Sequence, residues 1–138
     1  STGHYAIIWG YYMRKVFPIL IPALISILVI IILKTIVFIG YVPTDSMEPA
    51  LHKGNIIFGY RIVNEIDKGD IIAFKHSGHV LVKRVAATPG ETIFMNGHEY
   101  DVPDNCYIVL GDNSNRSYDS RYWENPYVLQ KDIVAKIF

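Results

Sequence analysis

A serine between two prolines is the first residue in this chain whose setting suits catalysis. Residues 43–49 read PTDSMEP, with Ser46 at the centre, and they follow a long apolar run. Each proline fixes its own φ and biases the residue before it toward an extended conformation, so the loop is stiff. A stiff loop can display a nucleophilic hydroxyl, although a serine between prolines is more often part of an ordinary turn.

A serine nucleophile needs a base, and Lys83 is the strongest candidate in the sequence. Residues 79–86 read HVLVKRVA, and period-two alternation would place Leu81, Lys83 and Val85 on the same face of a strand. Burial among such neighbours disfavours the ammonium form and lowers the pKa of a lysine, as a general base requires. A lysine at the rim of the sheet is the plainer alternative. None of the five histidines sits in a pattern that recommends it as the base.

A polar loop at residues 111–121, GDNSNRSYDSR, is the third candidate region. Such a loop can simply be solvated, with Asx and Ser side chains bonding their own backbone. Its density of Asp, Asn, Ser and Arg is also typical of a support network around a site. In that interpretation Ser117 holds a lysine, while Asp119 and Arg121 pair to fix the loop.

The element before the serine loop is a predicted membrane anchor. Residues 16–33 contain no charged residue, and as a helix they would span roughly 27 Å, close to the ~30 Å hydrocarbon core. The apolar tract resumes after Lys34, so we predict an anchor over residues 16–40 with Pro18 and Pro22 in its first turns. The run is too long for a cleavable signal peptide and lacks a small-residue cleavage site.

Residues 1–15 contain aromatic side chains followed by Arg14 and Lys15. This pattern is typical of a membrane interface, and cations beside a span favour the cytoplasmic side. We therefore predict a cytoplasmic or interfacial segment here. An ordinary amphipathic helix is the alternative.

After residue 41 the pattern changes to short β-type runs separated by turn residues. Predicted strands fall within residues 55–63, 71–74, 80–87, 92–95, 98–100, 107–110 and 133–138. Asn96-Gly97 is the strongest short hairpin signal in the chain. The predicted fold is therefore mainly β: a single N-terminal transmembrane helix, then a small antiparallel β-sandwich or barrel-like domain over residues 41–138.

Composition excludes some other classes of function. The 13 basic and 13 acidic residues balance and form no basic run, which argues against nucleic acid as a partner. Cys106 is the only cysteine, so this sequence offers neither an intrachain disulfide nor a cysteine-based metal site. We expect Cys106 to be a buried, small apolar residue at the start of a strand.

Three groups of residues, in this order behind an anchor, resemble type I signal peptidases, the membrane-bound serine proteases that remove signal peptides from exported proteins. The groups are Ser46-Met47 with Pro49; Lys83-Arg84 followed by Pro89-Gly90; and Gly111-Asp112-Asn113 with Ser117, Asp119, Ser120 and Arg121. Endoplasmic-reticulum relatives carry histidine where Lys83 stands, so the chain resembles the bacterial Ser–Lys branch. The short stretch from residue 84 to 111 is similar to that of the compact Gram-positive enzymes.

The resemblance implies roles for particular residues. It implies Ser46 as nucleophile, Lys83 as general base, Ser117 as the hydroxyl that orients the lysine, and Asp119 with Arg121 as support, with Arg84 and Asp112 mainly structural. The oxyanion site would be the Ser46 N–H with the Thr44 hydroxyl, and Val42, Pro43 and Val82 would line shallow pockets that prefer Ala-X-Ala.

The resemblance also implies partners and location. Substrates would be signal peptides of exported preproteins, with membrane lipid and a nearby export translocon as surroundings, and no metal or organic cofactor would be needed. The chain would be a single-pass cell-membrane protein with its N-terminus cytoplasmic and its catalytic domain extracytoplasmic.

Two positions depart from the family's proteobacterial pattern. Asp45 replaces a glycine, and residues 114–116 read SNR where Arg-Asp-Asn is common. Two other hypotheses stay open: a self-cleaving Ser–Lys protease of the LexA type, and a catalytically silent membrane-anchored relative that acts as a pilus-assembly chaperone.

Overall fold

The computed structural model describes residues 2–138, which divide into an N-terminal helix and a β domain (Val37–Phe138). Helix α1 runs over Thr2–Ile36. Its apolar side chains are exposed rather than packed against other protein groups, and the helix is long and apolar enough to cross a membrane. An exposed helix of this composition is stable in lipid, where every backbone group is satisfied within the helix.

The ends of α1 correct two predictions about the anchor. Pro18 and Pro22 lie inside the helix rather than in its first turns, because the helix already begins at Thr2. Each proline lacks the N–H that would bond the carbonyl one turn earlier. Residues 37–40, predicted to end the anchor, instead form most of a strand, because this apolar run pairs with a second strand of the β domain.

The β domain contains nine strands, and every adjacent pair is antiparallel. In chain order they are β1 (Val37–Tyr41), β2 (Ile56–Tyr60), β3 (Ile71–His76), β4 (His79–Ala87), β5 (Thr92–Met95), β6 (His98–Asp101), β7 (Cys106–Leu110), β8 (Tyr127–Leu129) and β9 (Ile133–Ile137). Seven form one sheet in the order β1-β2-β9-β3-β4-β7-β8, and β5 with β6 forms a separate hairpin. The predicted class, a helix followed by an antiparallel β domain, is confirmed.

Two tight turns set the register of the hairpins. Asn96 and Gly97 join β5 to β6 with φ of 50° and 81°, and Ser77 and Gly78 join β3 to β4 with φ of 48° and 80°. Positive φ at both central residues matches the right-handed twist of the flanking strands. The second turn pairs β3 with β4 so that Ile72 lies opposite Lys83.

The core lies against the central strands of the sheet. Fully buried apolar side chains include Ile72 and Phe74 on β3, Val85 on β4 and Val109 on β7. Cys106 is buried at the first residue of β7, as predicted. Strand β4, which carries Lys83, is therefore held between two strands, β3 and β7, that contribute to the same core.

Candidate active site

Ser46 and Lys83, 37 residues apart in the chain, meet inside the β domain. Lys83 Nζ lies 2.7 Å from Ser46 Oγ, within hydrogen-bond distance. Both residues are buried, with only 5% of Lys83 and 7% of Ser46 exposed. Within residues 2–138 this is the one hydrogen bond that the Lys83 amine makes.

Strand β4 determines where Lys83 points. Alternation along the strand turns Lys83, Val85 and Ala87 inward, and all three are buried. The lysine is thus on the apolar face and not at the rim. Burial lowers the pKa of Lys83 below its ordinary value of 10.5; the Asp119 carboxylate opposes this shift and the Arg121 guanidinium adds to it.

The Ser46 loop is held by hydrogen bonds and packing as well as by its prolines. The Leu51 N–H donates to the Met47 carbonyl at 2.9 Å, and the Glu48 N–H donates to the Asp45 carbonyl at 3.2 Å. The Met47 side chain is almost completely buried and anchors the loop in the domain. The Thr44 hydroxyl, on the exposed side of the loop, donates to Ser46 Oγ at 3.2 Å.

Asp119 is the centre of a second buried cluster. Its carboxylate is fully buried and accepts hydrogen bonds from the Ser117 hydroxyl (2.6 Å), the Gly111 N–H (2.8 Å) and the Arg121 guanidinium (2.8 and 2.7 Å). Burial alone would raise the pKa of Asp119, but these donors, Arg121 first, hold it below its ordinary value. The expected Asp119–Arg121 pair is present.

Ser117 lies in this cluster, but its hydroxyl bonds Asp119 and not Lys83 in the described part of the chain. The expectation that Ser117 directly orients the lysine therefore differs from the geometry. A charge-assisted bond to a carboxylate is stronger than a bond between neutral groups, which favours Asp119 as the acceptor. Ser117 thus contacts Asp119, and it is the Asp119 carboxylate that raises the pKa of Lys83.

Gly111 brings the two clusters together. A Cβ at this position would clash with the Ser117 hydroxyl and lie 2.7 Å from the Ser46 carbonyl oxygen. The next residue, Asp112, binds Arg84 of β4 through two hydrogen bonds of 2.8 and 2.7 Å. The motif glycine is thus required for close approach, a tertiary contact that the sequence alone does not reveal.

A shallow cleft of about 80 Å³ opens beside the two side chains. It is lined by Tyr41, Val42, Pro43, Thr44, Ser46, Met47, Val80, Leu81, Val82 and Lys83. The three residues expected to line substrate pockets, Val42, Pro43 and Val82, are all among them. Four lining residues were missed: Tyr41, Met47, Val80 and Leu81. The alternation that singled out Lys83 already placed Leu81 on the same strand face.

Comparison with known proteins decides the family. The family model described as signal peptidase, peptidase S26, matches residues 13–100 and 94–138. The chain belongs to this signal peptidase family. An apolar N-terminal helix together with this family indicates a single-pass membrane protein of the protease class.

Curated signal peptidases from three bacteria are similar to this chain. Inactive signal peptidase IA of Staphylococcus aureus is 26% identical over 160 residues, 91% of this chain and 91% of that protein. Probable signal peptidase I-2 of Synechocystis is 31% identical over 133 residues, 71% of this chain and 60% of that protein. Signal peptidase I S of Bacillus subtilis is 28% identical over 135 residues, 70% of this chain and 73% of that protein.

One of these signal peptidases is named as inactive, so membership of the family does not by itself establish catalysis. Whether this chain is active depends on its own residues. Its candidate nucleophile and base are both present, buried and 2.7 Å apart.

Proposed function

We propose that this chain is an active signal peptidase: a membrane-anchored serine endopeptidase that cleaves N-terminal signal peptides from exported preproteins after Ala-X-Ala-type sites. Ser46 is its nucleophile and Lys83 its general base. The observation that carries the proposal is the 2.7 Å contact between Lys83 Nζ and Ser46 Oγ in a buried setting.

The protonation state of Lys83 decides the chemistry. A lysine with the ordinary pKa of 10.5 is a cation at neutral pH and can only donate a hydrogen bond to Ser46. Burial lowers that pKa and favours the neutral amine, which accepts the hydroxyl proton as Ser46 Oγ attacks the scissile carbonyl. The lysinium formed then protonates the leaving amine, and a water activated by the same lysine releases the acyl-enzyme.

Thr44 and the Ser46 backbone form the oxyanion site. The Thr44 hydroxyl already points at Ser46 Oγ, and the Ser46 N–H donates to no other group within residues 2–138. The Thr44 hydroxyl can rotate from Ser46 Oγ to the negative oxygen that develops during attack, and the Ser46 N–H has no competing acceptor in the described chain. One such donor typically contributes a factor of about 10²–10³ in rate.

The free edge of β4 supports an extended substrate. Val85 exchanges hydrogen bonds with the Gly69 and Asp70 backbone on the β3 side, so alternation directs the N–H and C=O of Val80 and Val82 to the opposite edge. Pairing with β7 begins only at Arg84. A signal peptide added along residues 80–82 as a strand would place alternate side chains, P1 and P3, on the same face toward the cleft.

The same proposal covers domain boundaries and location. Residues 1–15 would lie at the cytoplasmic interface, with Arg14 and Lys15 on that side, and the β domain would be extracytoplasmic. Exposed apolar side chains on β1 and β2, namely Ile39, Tyr41, Ile56 and Phe58, support contact with lipid. Tethering near the translocon would raise the local concentration of signal peptides, which lie in the same bilayer.

The direct test is cleavage of a preprotein. The full chain in detergent micelles is incubated with a preprotein carrying an Ala-X-Ala site, and the new N-terminus is identified by mass spectrometry. Cleavage after that site, lost in Ser46→Ala, is expected. Intact preprotein beside an active control peptidase would contradict the proposal.

The similarity to an inactive signal peptidase favours one second candidate, a catalytically silent relative. For such a relative we propose a role as an assembly chaperone for pili. A serine-directed acylating probe separates the two. The active enzyme is expected to carry one probe on Ser46, located by peptide mapping, whereas a silent relative would remain unlabelled. Self-cleavage without cleavage of added preprotein would instead indicate the LexA-type protease.

A further inference from the structure

The two positions at which the sequence departs from the proteobacterial pattern are in contact. The Arg116 guanidinium forms an ion pair with the Asp45 carboxylate, across 71 residues of chain. Asp45 directly precedes Ser46, and Arg116 directly precedes Ser117. The two departures from the family pattern are therefore linked, because Asp45 and Arg116 are the two partners of one ion pair.

This ion pair belongs to a set of contacts between the two loops. The Asn113 N–H donates to the Ser46 carbonyl at 3.0 Å, and the Asn113 side-chain amide donates to the Asp45 carbonyl at 3.1 Å. The loop of residues 111–117 thus holds the backbone carbonyls on both sides of the Ser46 Cα. Asp45, Asn113 and Arg116 do not line the cleft, and the Lys83 amine makes its hydrogen bond in the described chain to Ser46 instead.

We propose that Asp45 and Arg116 are a positioning pair that, with Asn113, holds the Ser46 backbone so that Oγ stays at the Lys83 amine. This inference rests on the proposed function, because it concerns the same site. The Arg116 hydrogen bond lowers the pKa of Asp45 below its ordinary value of 3.8, so the carboxylate is charged at neutral pH and available for the ion pair.

The expected effect is on geometry rather than on global stability. The Arg116 side chain is 70% exposed and that of Asp45 29%, and exposed ion pairs contribute little to folding because solvent screens them. Proton transfer from Ser46 to Lys83 is far more sensitive, since it depends on two side chains that are held 2.7 Å apart. A small shift of the loop would therefore lower the rate of attack without weakening substrate binding.

The kinetic test uses the full chain in micelles. Asp45→Asn and Arg116→Gln are each expected to lower kcat about fivefold with KM within about twofold, and the double variant to lose no more than either alone. Arg116→Lys keeps the charge and is expected to recover most of kcat. Asp104→Asn and Lys131→Gln, exposed charges outside both loops, serve as controls of equal charge change and are expected to match the parent.

An additive double variant, or Arg116→Lys as impaired as Arg116→Gln, would overturn the inference.

A second readout does not depend on proteolysis: amide hydrogen exchange at Asn113, whose N–H donates a hydrogen bond to the Ser46 carbonyl. Asp45→Asn is expected to speed exchange there about fivefold, and the control variants to leave it unchanged. Unchanged exchange in Asp45→Asn would refute the positioning pair. Faster exchange in Asp45→Asn than in the parent, when the parent itself cleaves no preprotein, would refute the proposed function alone.

Discussion

Ser46 and Ser117 are both buried serines in contact with an ionisable side chain, but their surroundings differ. The lysine beside Ser46 makes one hydrogen bond in the described chain, to that hydroxyl. The carboxylate beside Ser117 accepts bonds from a hydroxyl, a backbone N–H and a guanidinium. Burial disfavours charge in both places, so the number of compensating partners decides which group stays charged.

In the proposed mechanism this difference separates the reacting pair, Ser46 and Lys83, from the cluster that supports it. Burial lowers the pKa of Lys83, which favours a neutral amine, whereas its donors hold the pKa of Asp119 below the ordinary value despite burial. The clusters are also coupled electrostatically, because Asp119 raises the pKa of Lys83 and Arg121 lowers it. The charged cluster therefore adjusts the proton affinity of the Lys83 amine.

Removing the reactive cluster is expected to have the largest effect. Ser46→Ala and Lys83→Met should each lower kcat by on the order of 10⁴-fold or more, because the nucleophile and its base act as a unit. Turnover of preprotein measures this. A variant that kept a tenth of the parent rate would remove its residue from the proposed mechanism.

The lowered pKa of Lys83 also predicts how the unfolding free energy depends on pH, with Lys83→Met as the control. The pKa of Lys83 is below 10.5 in the folded chain, so the unfolded chain binds this proton more tightly. The unfolding free energy of the parent should therefore rise with pH from the folded pKa up to 10.5, and this group should add no pH dependence below or above that window. Thermal unfolding in micelles over a pH series should show this slope in the parent and its loss in Lys83→Met.

Breaking the supporting cluster should act mainly on folding. Asp119→Asn leaves the half-buried Arg121 without its carboxylate and should cost about 3–5 kcal/mol of unfolding free energy. In the protein that remains folded, loss of the Asp119 charge lowers the pKa of Lys83 further, so the acidic limb of the rate profile should move to lower pH. Movement to higher pH would contradict the electrostatic coupling between the clusters.

Thr44 is a further difference between the two serines, with a smaller expected effect. Of the two, Ser46 is the one whose Oγ accepts a hydrogen bond from a neighbouring hydroxyl, that of Thr44. Thr44→Val should lower kcat by about 10²-fold, with little change in KM, because the donor acts on the developing oxyanion. Thr44→Ser retains the hydroxyl and is the matched control, with a rate near that of the parent. Equal losses in both variants would indicate a packing role instead.

Local signals predicted the parts of the fold that depend on neighbours in sequence. Asn96-Gly97 was identified as a turn because its residue types suit positive φ, and the structure has that geometry. Residues 37–40 were assigned to the anchor because a membrane helix and a buried strand share an apolar composition. Only pairing with β2, some 20 residues later, makes them a strand.

The candidate site was likewise predicted only where the signal lies in neighbouring residues of the sequence. Alternation gave the face of β4 on which Lys83 lies, but its burial depends on β3 and on the fully buried Ile72 opposite it. The bond from Ser117 to Asp119 and the Asp45–Arg116 pair depend on loop conformation and on contacts between distant segments. Local sequence patterns do not reveal those distances.

In the proposed mechanism the Lys83 amine is a base because burial leaves it with too few hydrogen-bonding and charged partners to stay protonated. This claim is tested most directly by NMR titration of the full chain in micelles, with ¹³Cε-labelled lysines and Lys83→Met to assign the signal. The account predicts that Lys83 titrates below 10.5 and that Asp119→Asn moves its pKa lower still. A Lys83 signal that titrates at or above 10.5 would contradict it.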